Sequence, residues 1–110
     1  MFKRRGYYVY IIASKRRTLY TGVTGNLIGR VIKHKLGKGS VFASKYNCTR
    51  LVYCRGFSDV DEAITFEKTV KGWTRSKKLA LIAEDNPNWE DLGAFLDESV
   101  EEIREQRLSS

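Results

Sequence analysis

The segment Gly6 to Ala13 (GYYVYIIA) constrains the fold more than any other part of the chain. Its β-branched and aromatic residues favour a strand, and apolar side chains fall on both faces, so that strand must be well buried. A polar basic turn, Ser14 to Arg17, leads to a second short strand, Leu19 to Thr24 (LYTGVT), and the pair reads as a hairpin. Gly22 leaves a gap inside the second strand, which signals close approach of another group. With 110 residues the chain supports a single core.

Thr24-Gly25-Asn26 offers an N-cap, and Leu27, Ile28, Val31, Ile32 and Leu36 predict a helix ended by Gly37. Lys38 to Asn47 reads as a loop rich in Gly, Ser and Lys. A third strand, Arg50 to Phe57, follows, entered from about Cys48. Ser58 is expected to cap the next helix, whose stripe is Ala63, Phe66, Val70 and Trp73. Gly72 and Thr74 to Ser76 weaken the register before Lys77 to Ala83 restarts a helix. Asn86-Pro87-Asn88 breaks the chain. From Trp89, a stripe of Leu92, Leu96, Val100 and Ile103 predicts an acidic amphipathic C-terminal helix. The order ββαβα and then helices implies an α+β (α/β) two-layer sandwich on a three-stranded antiparallel sheet. Residues 1–89 are expected to form the domain and 90–110 the added helix.

Charge narrows the partner. Residues 1–83 carry 18 Lys/Arg and 4 Asp/Glu, a net +14, whereas residues 84–110 carry 2 and 9, a net −7. The first carboxylate is Asp59, so 58 residues holding 13 Lys/Arg contain no acid. A field of one sign interleaved with Tyr points to a polyanion, nucleic acid above all. One His and two Cys exclude a four-ligand zinc site, and a Ser-His-Asp enzyme would have to use His34. Cys48 and Cys54 lie in an extended run whose ends stand ~20 Å apart, beyond disulfide reach, and two free thiols suit a reducing cytosol. The opening MFKRRGYYVYIIAS imitates a secretory signal, but three Tyr and the following Lys15-Arg16-Arg17 argue against one. No segment approaches the ~20 apolar residues of a membrane span. The expected setting is intracellular and cytoplasmic, with the nucleoid as one place of action.

Three features depart from plain packing. Arg30 and His34, at i and i+4, share one helix face and suit a phosphate and a proton transfer; a solvated basic face with Lys33 and Lys35 would give the same spacing. Glu67 stands among Ala63 and Val70 on an inward stripe, where an acid requires a cation or an ion pair with Arg30 or a Lys. Tyr10 and Tyr20 lie on adjacent strands and are able to face one pocket, or simply to pack.

Tyr8-Val9-Tyr10, Tyr20-Thr21-Gly22, Arg30, His34 and Glu67 together resemble the GIY-YIG endonuclease superfamily. The spacings of ten, ten and four residues from Tyr10 through Tyr20 and Arg30 to His34 are similar to the family's. LYTGVTGNL, KGWTRSKK and NPNW further resemble its small stand-alone bacterial branch, and the likeness spans residues 6–89. Tyr8, Val9 and Thr21 replace the Gly and the two Ile of the family name, none of which supplies a catalytic atom. Gly29 is a poor helix former beside Arg30.

The resemblance implies hydrolysis of a DNA phosphodiester with one divalent cation, Mg²⁺ or Mn²⁺. Glu67 would be the metal ligand. Tyr10 or Tyr20, its pKa lowered by the cation and basic neighbours, would take a proton from the attacking water. Arg30 would hold the scissile phosphate, His34 would orient a Tyr or relay its proton, and Asn86 would donate to a phosphate oxygen. Lys15, Arg16, Arg17, Lys33, Lys38, Lys45, Lys71 and Arg75 are expected to contact nucleic acid. Single-stranded, branched and duplex DNA are all compatible. A non-cleaving nucleic-acid-binding module is the alternative, and an interaction protein using its acidic C-terminal helix is a third class.

Overall fold

A computed structural model describes residues 6–109. Residues 1–5, at the start of the expected domain, and Ser110 lie outside the described residues. Three strands, β1 (Tyr7–Ala13), β2 (Leu19–Thr24) and β3 (Arg50–Phe57), form an antiparallel sheet in the order β2-β1-β3. The doubly apolar segment is therefore the central strand. Its side chains alternate between two apolar clusters, one on each face of the single sheet: Tyr10 and Ile12 join Leu27, Val31, Ala43, Leu51 and Leu96, whereas Ile11 and Ala13 join Val52, Tyr53, Val70 and Ile82. The three-stranded antiparallel sheet flanked by helices is as the sequence implies.

Among the described residues five α-helices complete the fold, α1 (Leu27–Lys35), α2 (Val41–Lys45), α3 (Val60–Lys71), α4 (Arg75–Asp85) and α5 (Asp97–Ser109), with a 3-10 turn at Ala94–Leu96 before the last. Asn26 caps α1 by accepting from the Gly29 amide at 3.1 Å. A Cβ on Gly29 would run into that Asn26 side chain, so the weak helix former makes room for the cap. Gly37, at φ 76°, turns the chain out of α1 as expected.

Four local expectations are corrected. The loop 38–47 contains α2, because the Ser40 hydroxyl accepts from the Ala43 amide at 3.0 Å and closes one turn. The cap of α3 is Asp59 rather than Ser58, with Asp59 Oδ1 accepting from the Asp61 amide at 2.8 Å. The restarted helix runs from Arg75 instead of Lys77, since Thr74 caps it through the Lys77 amide. The C-terminal helix begins at Asp97, not at Trp89, whose φ of 54° is left-handed and stops any helix there.

The segment after Trp89 docks on the rest of the fold. The Leu92 amide donates to the Leu51 carbonyl at 2.7 Å, and Leu96 and Val100 are buried. Lys35 holds Asp91 at 2.6 Å and Asp97 at 2.9 Å, while Arg104 donates to the Lys35 carbonyl at 2.8 Å. The acidic C-terminal segment thus spends Leu96, just before the helix, and Val100 within it on its own chain. No helix among the described residues is long and apolar enough to cross a membrane. Cys48 and Cys54 are free.

Candidate active site

β1, β2 and α1 bring three rings together. Tyr10 is directly opposite Gly22 in the ladder, and a Cβ on Gly22 would lie 2.5 Å from the Tyr10 hydroxyl. The gap in β2 is therefore filled by a phenol lying across the backbone. That hydroxyl reaches His34 Nε2 at 2.8 Å. The His34 ring lies 5.4 Å from Tyr10 and 5.5 Å from Tyr20, and the two tyrosines are 6.5 Å apart. Tyr10 and His34 are each 2% exposed, whereas Tyr20 is half-buried.

Burial sets the protonation of this pair. His34 is held down to about 4, first by burial and then by the Arg30 charge one turn away, so it is a neutral base at pH 7. Its Nδ1 is buried without a hydrogen-bond partner among the described residues, and Gly39 closes over it so tightly that a Cβ there would collide with the ring. The Tyr10 phenol is raised well above its ordinary value, mainly by burial, with Tyr20 and Glu67 adding to the effect and Arg30 opposing it. Basic neighbours alone therefore do not lower Tyr10, because desolvation exceeds the help of one guanidinium. A neutral phenol against a neutral imidazole is a proton relay rather than an ion pair. When Tyr10 donates to Nε2, the histidine proton sits on Nδ1; this tautomer is inferred from the pairing.

Glu67, on α3, is 12% exposed at its side chain and pairs with Lys71 Nζ at 3.0 Å. That same ammonium stands 5.9 Å over the Tyr20 ring, which places the carboxylate beside the tyrosines. Of the two arrangements open for an inward acid, the ion pair is present, and its partner is a lysine that is half exposed. Arg30 is half-buried on α1, with its charge felt at both Tyr10 and His34.

Asn86 does not join them. Its amide nitrogen donates to the Val52 carbonyl at 3.1 Å and the Glu90 carbonyl at 2.8 Å, and its oxygen accepts from the Glu90 amide at 2.9 Å. Both donor hydrogens are spent on backbone, so the expected bond to a phosphate oxygen gives way to a structural clamp on the turn before Glu90.

The basic residues fall into separate groups. Lys15, Arg16 and Lys45 surround one cavity. Arg17 covers the Trp89 ring at 4.4 Å and accepts, through its carbonyl, a bond from Arg75 at 2.8 Å. Lys33 and Lys38 are exposed near the end of α1, and Lys71 is engaged by Glu67. One site neighbour escapes the sequence reading, and another takes a different role from the one expected of it. Gly39 could not be found without knowing where His34 lies. Lys71, expected at nucleic acid, is Glu67's partner, and its i+4 spacing is a signal that was available.

With this geometry in view, comparison with known proteins decides the family. A sequence model described as the GIY-YIG catalytic domain matches residues 6–80. The chain belongs to the GIY-YIG family. Within the family it is similar to UPF0213 proteins from Staphylococcus haemolyticus (38% identical, over 71% of this chain and 95% of the relative) and Pediococcus pentosaceus (34%, over 70% and 81%). A solution NMR structure of a UPF0213 protein from Bacillus halodurans superposes with a TM-score of 0.50 at 33% identity, covering 77% of this chain and 90% of that one. The GIY-YIG match implies a nuclease acting on nucleic acid.

Proposed function

We propose that this chain is a divalent-cation-dependent endonuclease that hydrolyses phosphodiester bonds in DNA. The observation that carries the reading is the buried 2.8 Å contact between Tyr10 and a neutral His34, beside Arg30 and an inward Glu67. A hydrolytic site needs a proton acceptor, a phosphate clamp and a cation holder within one small volume. Each role finds a residue here.

Glu67 fits the cation by donor chemistry. Its carboxylate already holds an ammonium, and Lys71 is exposed enough to swing away. Among the described residues no group of three His, Cys, Asp or Glu converges, so water and phosphate oxygens would complete the coordination, as suits Mg²⁺ or Mn²⁺. Such a cation supplies positive charge to the phosphate oxygens and orders water near them. Arg30 binds the phosphate and balances the charge that develops on its oxygens. The attacking water gives its proton to the Tyr10 oxygen as Tyr10 passes its own to His34 Nε2. As the water oxygen bonds to phosphorus the bond to the leaving oxygen breaks; that oxygen takes a proton from solvent water, and His34 afterwards releases to solvent the proton it received. Tyr10 takes this role over Tyr20 because it is the phenol bonded to His34. Tyr20, whose hydroxyl makes no hydrogen bond among the described residues, walls the site.

A cleavage panel over single-stranded, duplex and branched DNA, in Mg²⁺, in Mn²⁺ and in chelator, tests this reading. Cutting should need the cation and fall about a hundredfold or more in Glu67→Ala, with binding retained. Binding without cutting under every condition would make the chain a non-cleaving module. Robust cutting in chelator would remove Glu67 from the role of cation ligand.

A further inference from the structure

We infer that Phe42 and Tyr46 form a stacking subsite for an unpaired nucleobase of a DNA strand running out of the Tyr10–His34 site. This rests on the nuclease reading and names how its substrate is gripped. α2 has five residues and anchors itself in the core through one small side chain, Ala43. Phe42 within it and Tyr46 at its C-cap, four residues on, share the opposite fate: Phe42 is 46% and Tyr46 44% exposed. They are not scattered apolar surface. Tyr20 and Phe42 stack at 6.3 Å with 29° between their planes, and Phe42 meets Tyr46 at 4.8 Å. A continuous row of rings therefore leads from His34's neighbour Tyr20 outward along α2.

The row ends where the chemistry turns cationic. Tyr46 forms one wall of a cavity of about 590 Å³ that Lys15, Arg16, Thr18 and Lys45 also line. Lys45 Nζ lies 5.4 Å over the Tyr46 ring. None of these three cations has a carboxylate partner among the described residues, and no acid precedes Asp59 in the chain. Exposed rings edged by unpaired cations match a strand whose bases stack while its phosphates meet Lys and Arg. A protein partner would bring apolar side chains for the rings yet would have to supply all the negative charge from acids. A nucleic acid carries both chemistries at every residue. A base held within a duplex presents no face to Phe42, so the subsite selects an unpaired one.

The test measures binding of the full-length protein in chelator, where no cutting is expected, to a labelled thymidine dodecamer and to the same strand made abasic throughout. Phe42→Ala and Tyr46→Ala should each weaken binding to the thymidine strand about 5- to 100-fold. Binding to the abasic strand should stay within about twofold. Both residues are surface-exposed, and unchanged melting temperatures would establish that the variants fold. Equal losses on both strands, or none on either, would overturn the subsite while leaving the nuclease reading in place. Failure of the unmodified protein to bind either strand would likewise overturn the subsite, while the nuclease reading is decided separately by the cleavage panel over duplex and branched DNA.

Discussion

Gly22→Ala is the sharpest test of the site, because one methyl group is placed against one phenol. The added Cβ would stand 2.5 Å from the Tyr10 hydroxyl, 2.6 Å from Cζ and 2.9 Å from Cε1. Ordinary carbon contacts begin near 3.5 Å, so the ring must move by about 1 Å. Behind it, His34 is fixed by Gly39, and the 2.8 Å bond to Nε2 cannot follow. Overpacking of this kind costs about 1–3 kcal/mol. At about 4–8 °C per kcal/mol for a domain near this size, the melting temperature should fall by roughly 5–20 °C. A displacement of that size at a reacting group costs about a hundredfold in rate, so kcat measured on folded protein should drop by about that much. The control is a Tyr10→Leu background, in which the three colliding atoms are gone. There Gly22→Ala should cost less by most of the same 1–3 kcal/mol. Unchanged kcat and melting temperature in the single variant, or equal cost in both backgrounds, would refute the placement of Tyr10 across the β2 backbone.

Arg30→Lys keeps the charge and loses the planar fork, so cleavage should be nearly as poor as in Arg30→Ala. Arg30→Ala should also raise the pKa of His34 from about 4, visible by NMR titration, since the Arg30 charge is one cause of its depression. Asn86→Ala leaves the Val52 and Glu90 groups unpaired and should cost about 2–4 kcal/mol in denaturant unfolding, with cleavage per folded molecule unchanged. Because His34 is depressed from 6.5 to about 4, the unfolded chain takes up its proton first. Stability should therefore be full above pH 6.5 and decline by about 1.4 kcal/mol per pH unit down to pH 4, a slope that His34→Phe should flatten. DNA affinity should fall with salt at a log–log slope of about −4 to −5 if ~4–6 phosphates are neutralised, and a flat response would make the basic charge plain surface.

The strands were legible because their signals are local. β2 and β3 lie where β-branched residues and flanking turns put them, and Gly22 announced a close approach that Tyr10 makes. The site residues on β1, β2 and α1 were legible as a spacing, since ladder register and helical turn convert sequence offsets into proximity. What sequence could not show depends on partners brought by the fold. Asn86 reads as a donor until the Val52 and Glu90 carbonyls are seen to consume it. The direction of the Tyr10 shift follows from burial, which no spacing encodes. α2 was hidden because Gly39-Ser40 looks like loop chemistry, although the same serine caps the helix. With α2 unseen, Phe42 and Tyr46 had no reason to share a face.

One short helix shows how the fold divides a basic sequence into separate tasks. Along α1, Arg30, Lys33, His34 and Lys35 read as an undifferentiated cationic stretch. The 3.6-residue period gives each a different environment. His34 turns inward beside Tyr10 and loses its charge to burial. Arg30, one turn earlier on the same face, keeps its charge and lends its field to that histidine. Lys33 is exposed. Lys35 is 7% exposed, a burial that an ammonium tolerates only when paired, and Asp91 and Asp97 from the acidic C-terminal segment provide the pair. The acids after residue 83 therefore do more than offset a surplus of charge. Two of them neutralise the one α1 cation that packing removes from water. Arg30 and Lys33 carry no such carboxylate among the described ion pairs, and their charge stays available to a phosphate.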